Sequence, residues 1–177
     1  MRVRPATVDD AEALAGIHVR GWQWGYRGQL PDDYLRGLPV GRRTEQWRAW
    51  LLEPGDTSTW VAEEEANDPP RALGFVAAGA NRDPDPPAET GEVYAIYLEE
   101  DAAGAGVGSA LLARACEWLA DRGFAHATLW VLTSNDRARR FYEQAGWRPD
   151  GEAKAEPLED FEIREVRYVT DLGTAGA

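Results

Sequence analysis

Between Ala103 and Gly108 the chain reads Ala-Gly-Ala-Gly-Val-Gly, with glycine at every second position. The segment lies shortly after the apolar run Val93-Tyr94-Ala95-Ile96-Tyr97-Leu98. It directly precedes a helical pattern through Leu111, Leu112, Ala115, Trp118 and Leu119. A strand, a tight turn and a helix in that order bring unpaired backbone amides and the positive end of the helix dipole to one point, where an anion is stabilised. Gly104, Gly106 and Gly108 let the backbone approach a phosphate closely, so Ala103, Gly104, Ala105, Gly106, Val107 and Gly108 together form the candidate anion loop. Spacing narrows the ligand. A nucleoside-triphosphate loop ends in Gly-Lys-Ser/Thr, whereas Gly108 is followed by Ser109 with no lysine. A dinucleotide turn has Gly-x-Gly-x-x-Gly early in a parallel unit. Here Gly-x-Gly-x-Gly follows an antiparallel pattern, which leaves a dinucleotide-dependent reductase as the lesser alternative.

Three other places carry candidate chemistry. Glu92 opens the central apolar run, where partial burial would raise a carboxyl group toward the range of a general base; a solvated strand-end glutamate is the competing reading. Tyr142 follows Phe141 and so lies about 100° further round a helix, at the edge of the face expected to pack through Phe141 and Ala145. Asn135 or Asp136 is placed to cap that helix. The segment Gly21 to Leu38 interleaves Trp22, Trp24, Tyr26 and Tyr34 with Gly25, Gly28, Pro31 and Gly37, next to Arg27. It is too aromatic for a solvated loop and too broken for one long helix, and predicts a packed loop plus a short helix. Arg137, Arg139 and Arg140 crowd one short helix, either as an anion-attracting group or as a solvated face.

The elements that must hold these residues follow from periodicity. Val3 begins a strand, and Thr7 with Asp10 forms a capping pair ahead of a helix through Ala11, Leu14, Ile17 and His18. Trp47, Trp50 and Leu51 mark a helix over 44–52, ended by Pro54-Gly55. Residues 59–63 and 72–80 form an antiparallel pair, and 93–98 is apolar at both parities, as a central strand covered on both faces must be. After the helix ended by Gly123, residues 127–132 form a buried strand. Gly146 ends the helix bearing Tyr142, and 161–169 is a closing strand. The fold class expected is therefore α/β, with one domain over 1–172, a mixed and mostly antiparallel sheet flanked by helices, and a frayed tail over 173–177.

Composition excludes other classes. Against 19 basic residues stand 31 acidic ones, a net charge of -12, which opposes nucleic-acid binding. One cysteine and two histidines cannot build a disulfide or a structural zinc site, so no metal is expected, and Cys116 and His126 read as structural. No apolar run reaches the roughly 18 residues of a membrane span, and the first residues lack the apolar stretch of a signal peptide. A cytoplasmic protein with no membrane partner is expected.

With these residues in place, the chain resembles the GNAT superfamily of acyl-CoA-dependent N-acetyltransferases. Their pyrophosphate loop is Arg/Gln-x-x-Gly-x-Gly/Ala between the fourth strand and third helix, and 103–108 fits both glycine positions. Ala103 replaces the usual Arg or Gln, so the cofactor's grip would rest on amides. Val3-Arg4-Pro5-Ala6-Thr7 with Asp9-Asp10-Ala11, and Asn135 with Ala138, Phe141-Tyr142 and Gly146-Trp147, are similar to the family's opening and last helix. The resemblance implies direct transfer of an acetyl group from acetyl-CoA to a primary amine of a small molecule or peptide. Tyr142 would serve the CoA sulfur and Asn135 the pantetheine arm. The backbone of Ile96, Tyr97 and Leu98 would pair with pantetheine where the fourth and fifth strands splay. Glu92 or a water chain would be the base, and Trp22, Trp24, Tyr26 and Arg27 the acceptor wall. Homodimers are common in the superfamily. A non-catalytic acyl-CoA-binding sensor is the alternative from another class.

Overall fold

A computed structural model of the chain describes residues 1–66, 70–84, 86–159 and 161–173. Seven strands form one sheet: β1 (Arg2–Pro5), β2 (Thr57–Glu64), β3 (Arg71–Ala80), β4 (Thr90–Leu98), β5 (His126–Leu132), β6 (Arg148–Leu158) and β7 (Phe161–Asp171). Their order across the sheet is β1-β2-β3-β4-β5-β7-β6, antiparallel throughout except for β4 and β5. Helices α1 (Ala11–Gly25), α2 (Asp32–Gly37), α3 (Val40–Leu52), α4 (Val107–Asp121) and α5 (Asp136–Gln144) complete the domain. The expected mixed, mostly antiparallel sheet flanked by helices is the observed one. The expected tail beyond Gly173 lies outside the described residues.

Both faces of the sheet's middle are covered, which accounts for apolar residues at both parities. Trp60, Val76, Ala78 and Val93 face one side and pack with Leu111, Leu112 and Leu119 of α4. Val61, Phe75 and Ala77 face the other and pack with Leu14 and Ile17 of α1 and Trp47 of α3. The start of α1 is fixed by the capping box of Thr7 and Asp10, which opens a 3₁₀ turn before the helix proper. Arg4 reinforces it, donating to Asp10 and to Glu63 of β2 at 2.8 Å each.

Three local expectations change. Residues 21–25 are helical rather than loop, because α1 continues to Gly25. Gly21 is there for close approach: a Cβ would sit 3.0 Å from the Tyr97 ring, so the glycine admits that ring against the helix. The whole of β6 was unforeseen, being exposed along most of its length with no apolar alternation. Ala145, expected in the packed face of α5, is an exposed C-cap, and Tyr142 is the buried residue instead.

His18 lies among Trp22, Trp47, Phe75 and Tyr97, stacked on Tyr97 at 4.6 Å, with its Nδ1 buried and unpaired among the described residues. Burial, with help from Arg43, pushes its pKa down to about 3. A histidine that must stay neutral in the fold contributes stability above its unfolded pKa of about 6.5 and loses it as pH falls from there toward 3. Acidification from pH 7 to pH 4 is expected to cost roughly 2 to 4 kcal/mol through this residue. Denaturant unfolding of His18→Phe should show a shallower pH slope over that window, and equal slopes would remove His18 as the cause.

Candidate active site

The strands β4 and β5 pair in parallel only over Thr90–Glu92 against His126–Thr128, and beyond Glu92 they part. A bulge marks the divergence: β3 pairs Ala77 with Ala95 and Ala78 with Val93, leaving Tyr94 out of the ladder. An extra residue bends and twists its strand, which here leads β4 away from β5. On the β5 side, the backbone groups of β4 beyond Glu92 therefore have no strand partner. Nothing in the sequence pattern pointed to the bulge.

The gap is a cleft of about 410 Å³. Ile96, Tyr97 and Leu98 line one wall, Leu129, Trp130 and Val131 the other, and the glycine turn closes one end. Gly104 and Gly106 both have φ +83°, and a Cβ on either would meet no atom within 4 Å, so the turn is open and left-handed where a phosphate would approach. Gly106 is the N-cap of α4. Gly108 has a second role: its Cβ would lie 3.3 Å from Phe141 and 3.4 Å from Leu98, so it lets α4 sit close to both. Ala103 also borders the cleft, whereas Ala105 and Val107 enter the turn without side chains in the lining.

Helix α5 forms another border. Asn135 caps it, its Oδ1 accepting from the Ala138 amide at 3.1 Å, and faces the cleft as well. Tyr142 is 7% exposed, packed near Trp147 and Tyr168. Its hydroxyl makes no hydrogen bond to protein among the described residues, although it borders the cleft. Burial holds its pKa far above a phenol's usual value, so it is a protonated donor throughout the neutral range. Of the arginines on this helix, Arg137 borders the cleft and stacks 4.0 Å over Trp24, while Arg139 is tied to Tyr168 and the Thr133 carbonyl.

A second cavity of about 160 Å³ adjoins the cleft, and Tyr26, Tyr94, Tyr97 and Trp130 border both. Trp22 lines it and donates to the Tyr97 hydroxyl at 2.9 Å, which lies 3.4 Å from that of Tyr26. Trp24 instead faces the cleft, donating to the Leu98 carbonyl at 3.2 Å. Arg27 is exposed on the turn after α1 and lines neither space. The aromatic segment thus divides between two cavities.

Glu92 lines the second cavity, but not as a lone carboxylate. Arg82 donates to it three times, from its amide at 2.9 Å, Nε at 3.2 Å and Nη2 at 2.7 Å, and lies 3.8 Å over the Tyr94 ring. Sequence reasoning missed this partner, which comes from a proline-rich loop, and also missed Lys154 and Glu165, which border the same cavity from β6 and β7. Cys116 is half-buried in α4, and burial pushes its thiol up to about 11, so little thiolate exists near neutrality.

Comparison with known proteins agrees with this geometry. A profile of the acetyltransferase (GNAT) family matches residues 22–147. The chain is 32% identical over 165 residues to the uncharacterised N-acetyltransferase YuaI of Bacillus subtilis, covering 93% of this chain and 87% of the relative. Among solved structures, a PaiA N-acetyltransferase of Thermoplasma acidophilum in complex with coenzyme A superposes with a TM-score of 0.72. It is 18% identical and covers 96% of this chain and 98% of its own. YncA of Salmonella typhimurium, solved with acetyl-CoA, gives 0.69 at 18% identity, covering 99% and 96%. At such identities the two structures establish the fold. Among the described residues no helix is long and apolar enough to cross a membrane.

Proposed function

The chain belongs to the acetyltransferase (GNAT) family, and from that premise we propose that it moves an acetyl group from acetyl-CoA directly to a primary amine of a small molecule or peptide. The observation that carries the proposal is the junction of the two cavities. The opened edge of β4 and the Tyr142 hydroxyl, which has no partner among the described residues, border the cleft, and Tyr26, Tyr94, Tyr97 and Trp130 border both the cleft and a second space.

The residues present fit the cosubstrate. Amides of the turn at 103–108 and the N-terminus of α4 suit a pyrophosphate, and the edge of β4 at Ile96, Tyr97 and Leu98, which pairs with β3 but has no strand beside it on the β5 side, suits the amides of pantetheine. The Asn135 side chain, having spent its oxygen on the helix cap, retains amide hydrogens for the same arm. Bound acetyl-CoA supplies the activated acyl thioester. Tyr142 holds a proton on its hydroxyl for the departing sulfur. Trp22, Tyr26 and Tyr97 shape the acceptor space, and Glu92, with both oxygens held by Arg82, forms an ion pair with it in the wall. The Cys116 thiol sits in α4 with little thiolate, which favours direct transfer over an acyl-enzyme route.

Acetyl-CoA at 100 times its Kd is expected to stabilise the fold by about 2.7 kcal/mol, seen as a raised Tm, while NAD and ATP leave Tm unchanged. Thermal melts with the three ligands check this. A shift with NAD and none with acetyl-CoA would overturn the cleft's reading.

A further inference from the structure

The second cavity holds two carboxylates in different circumstances. Both oxygens of Glu92 are engaged by Arg82, and its side chain is 4% exposed. Glu165 on β7 is bordered by the same space, and its side chain is 18% exposed. Its Oε2 lies 3.4 Å from Lys154 Nζ, and its Oε1 has no partner among the described residues. Lys154 is itself shared, 2.9 Å from Glu156 and 4.4 Å over Trp130. A carboxylate with a free oxygen, set in a cavity that shares Tyr26, Tyr94, Tyr97 and Trp130 with the cleft, is able to receive a proton where Glu92 is already committed.

We propose that Glu165 takes the proton from the acceptor's ammonium, a catalytic role additional to that of Tyr142. The proposal rests on the acyl-transfer reading above and deepens it. An N–H bond of the ammonium breaks and an O–H bond forms at Glu165. The freed nitrogen lone pair forms the amide C–N bond as the thioester C–S bond breaks, and the nitrogen loses its second proton. One of the two protons leaves through the carboxyl group to water, and the other remains on the sulfur of free CoA.

The surroundings suit that task. Burial raises the Glu165 carboxyl above the ordinary range, with Glu156 and Glu92 acting the same way, while Lys154 on the adjacent strand opposes them. Tyr26, just after α1, and Tyr97 on β4 face it, both protonated because burial raises their pKa. Arg82 is committed to Glu92, and Arg167, two residues along β7, to Asp83 and Asp150. A weakly basic carboxylate becomes a better proton acceptor as its pKa approaches the working pH.

The test has a kinetic and a spectroscopic reading. With the best acceptor found, Glu165→Gln is expected to lower kcat/KM about tenfold below the amine's pKa and to recover at higher pH, with the calorimetric Kd for acetyl-CoA unchanged. Lys154→Gln removes the opposing cation, so the acid limb of the kcat/KM profile should move to higher pH. In carboxyl-labelled glutamate NMR, one resonance titrating above the others should vanish in Glu165→Gln and move up in Lys154→Gln. A wild-type profile in Glu165→Gln, or an unmoved resonance in Lys154→Gln, would overturn the proposal while the active wild type upholds acyl transfer. A wild-type chain that acetylates no amine would overturn both.

Discussion

Replacing Tyr142 with phenylalanine is expected to lower the single-turnover rate of acetyl transfer about 10²-fold with little change in acetyl-CoA affinity. The phenol borders the cleft with no protein partner for its hydroxyl among the described residues, and burial keeps it protonated. In the proposed role it would act on a sulfur that becomes charged only as the C–S bond breaks. Its loss therefore falls on the transition state and spares the ground state. Phenylalanine keeps the ring 5.2 Å from Phe141 and 6.2 Å from both Trp147 and Tyr168, so the core should hold. Removing a hydroxyl that bonds no protein group among the described residues leaves no buried partner there stranded, which further protects stability. Single turnover is the proper reading because slow product release would mask the defect in steady state. A rate equal to wild type would leave Tyr142 a packing residue.

Gly106→Val is expected to weaken acetyl-CoA binding by about 10²-fold in a chain that still folds. Its φ of +83° is a conformation that a β-branched residue adopts only under strain, of order 1–3 kcal/mol, so the turn would relax and its amides would move. The new side chain would also project into the open space beside the turn, where a bound phosphate would sit under the proposed function. A control separates strain from recognition. Gly123, with φ +87°, ends α4 away from both cavities, so Gly123→Ala should lower Tm and leave the Kd alone. Calorimetric titration of the two variants decides the matter. An unchanged Kd in folded Gly106→Val would remove the turn from the binding site.

Much of this site was legible because its parts are local. The turn at 103–108, the cap at Asn135 and the position of Tyr142 each follow from a few neighbouring residues, and the structure places all three on one cleft. What was hidden arises between distant segments. Glu92 invited a reading as a partly buried base, and its hydrogen-bond partner, Arg82, comes from a loop whose path no periodicity describes. Glu165 sits on a strand whose alternation announces only packing, and Lys154 on β6, an exposed strand that offers no hydrophobic pattern at all. Gly21 opened a segment read as a packed loop, whereas it lies within α1, where it admits the Tyr97 ring. The bulge at Tyr94 is invisible for the same reason, since one unpaired residue changes no apolar count but parts two strands.

The most direct measurement is release of free CoA set against acetylated amine, followed by mass spectrometry across a panel of small amines and peptide N-termini. The expected result is one CoA for each amine acetylated, with negligible release when the amine is omitted and no acetyl group left on the protein. Acetyl-CoA that binds yet yields no acetylated product with any amine, or CoA released at the same rate without one, would contradict direct transfer at the junction of the two cavities.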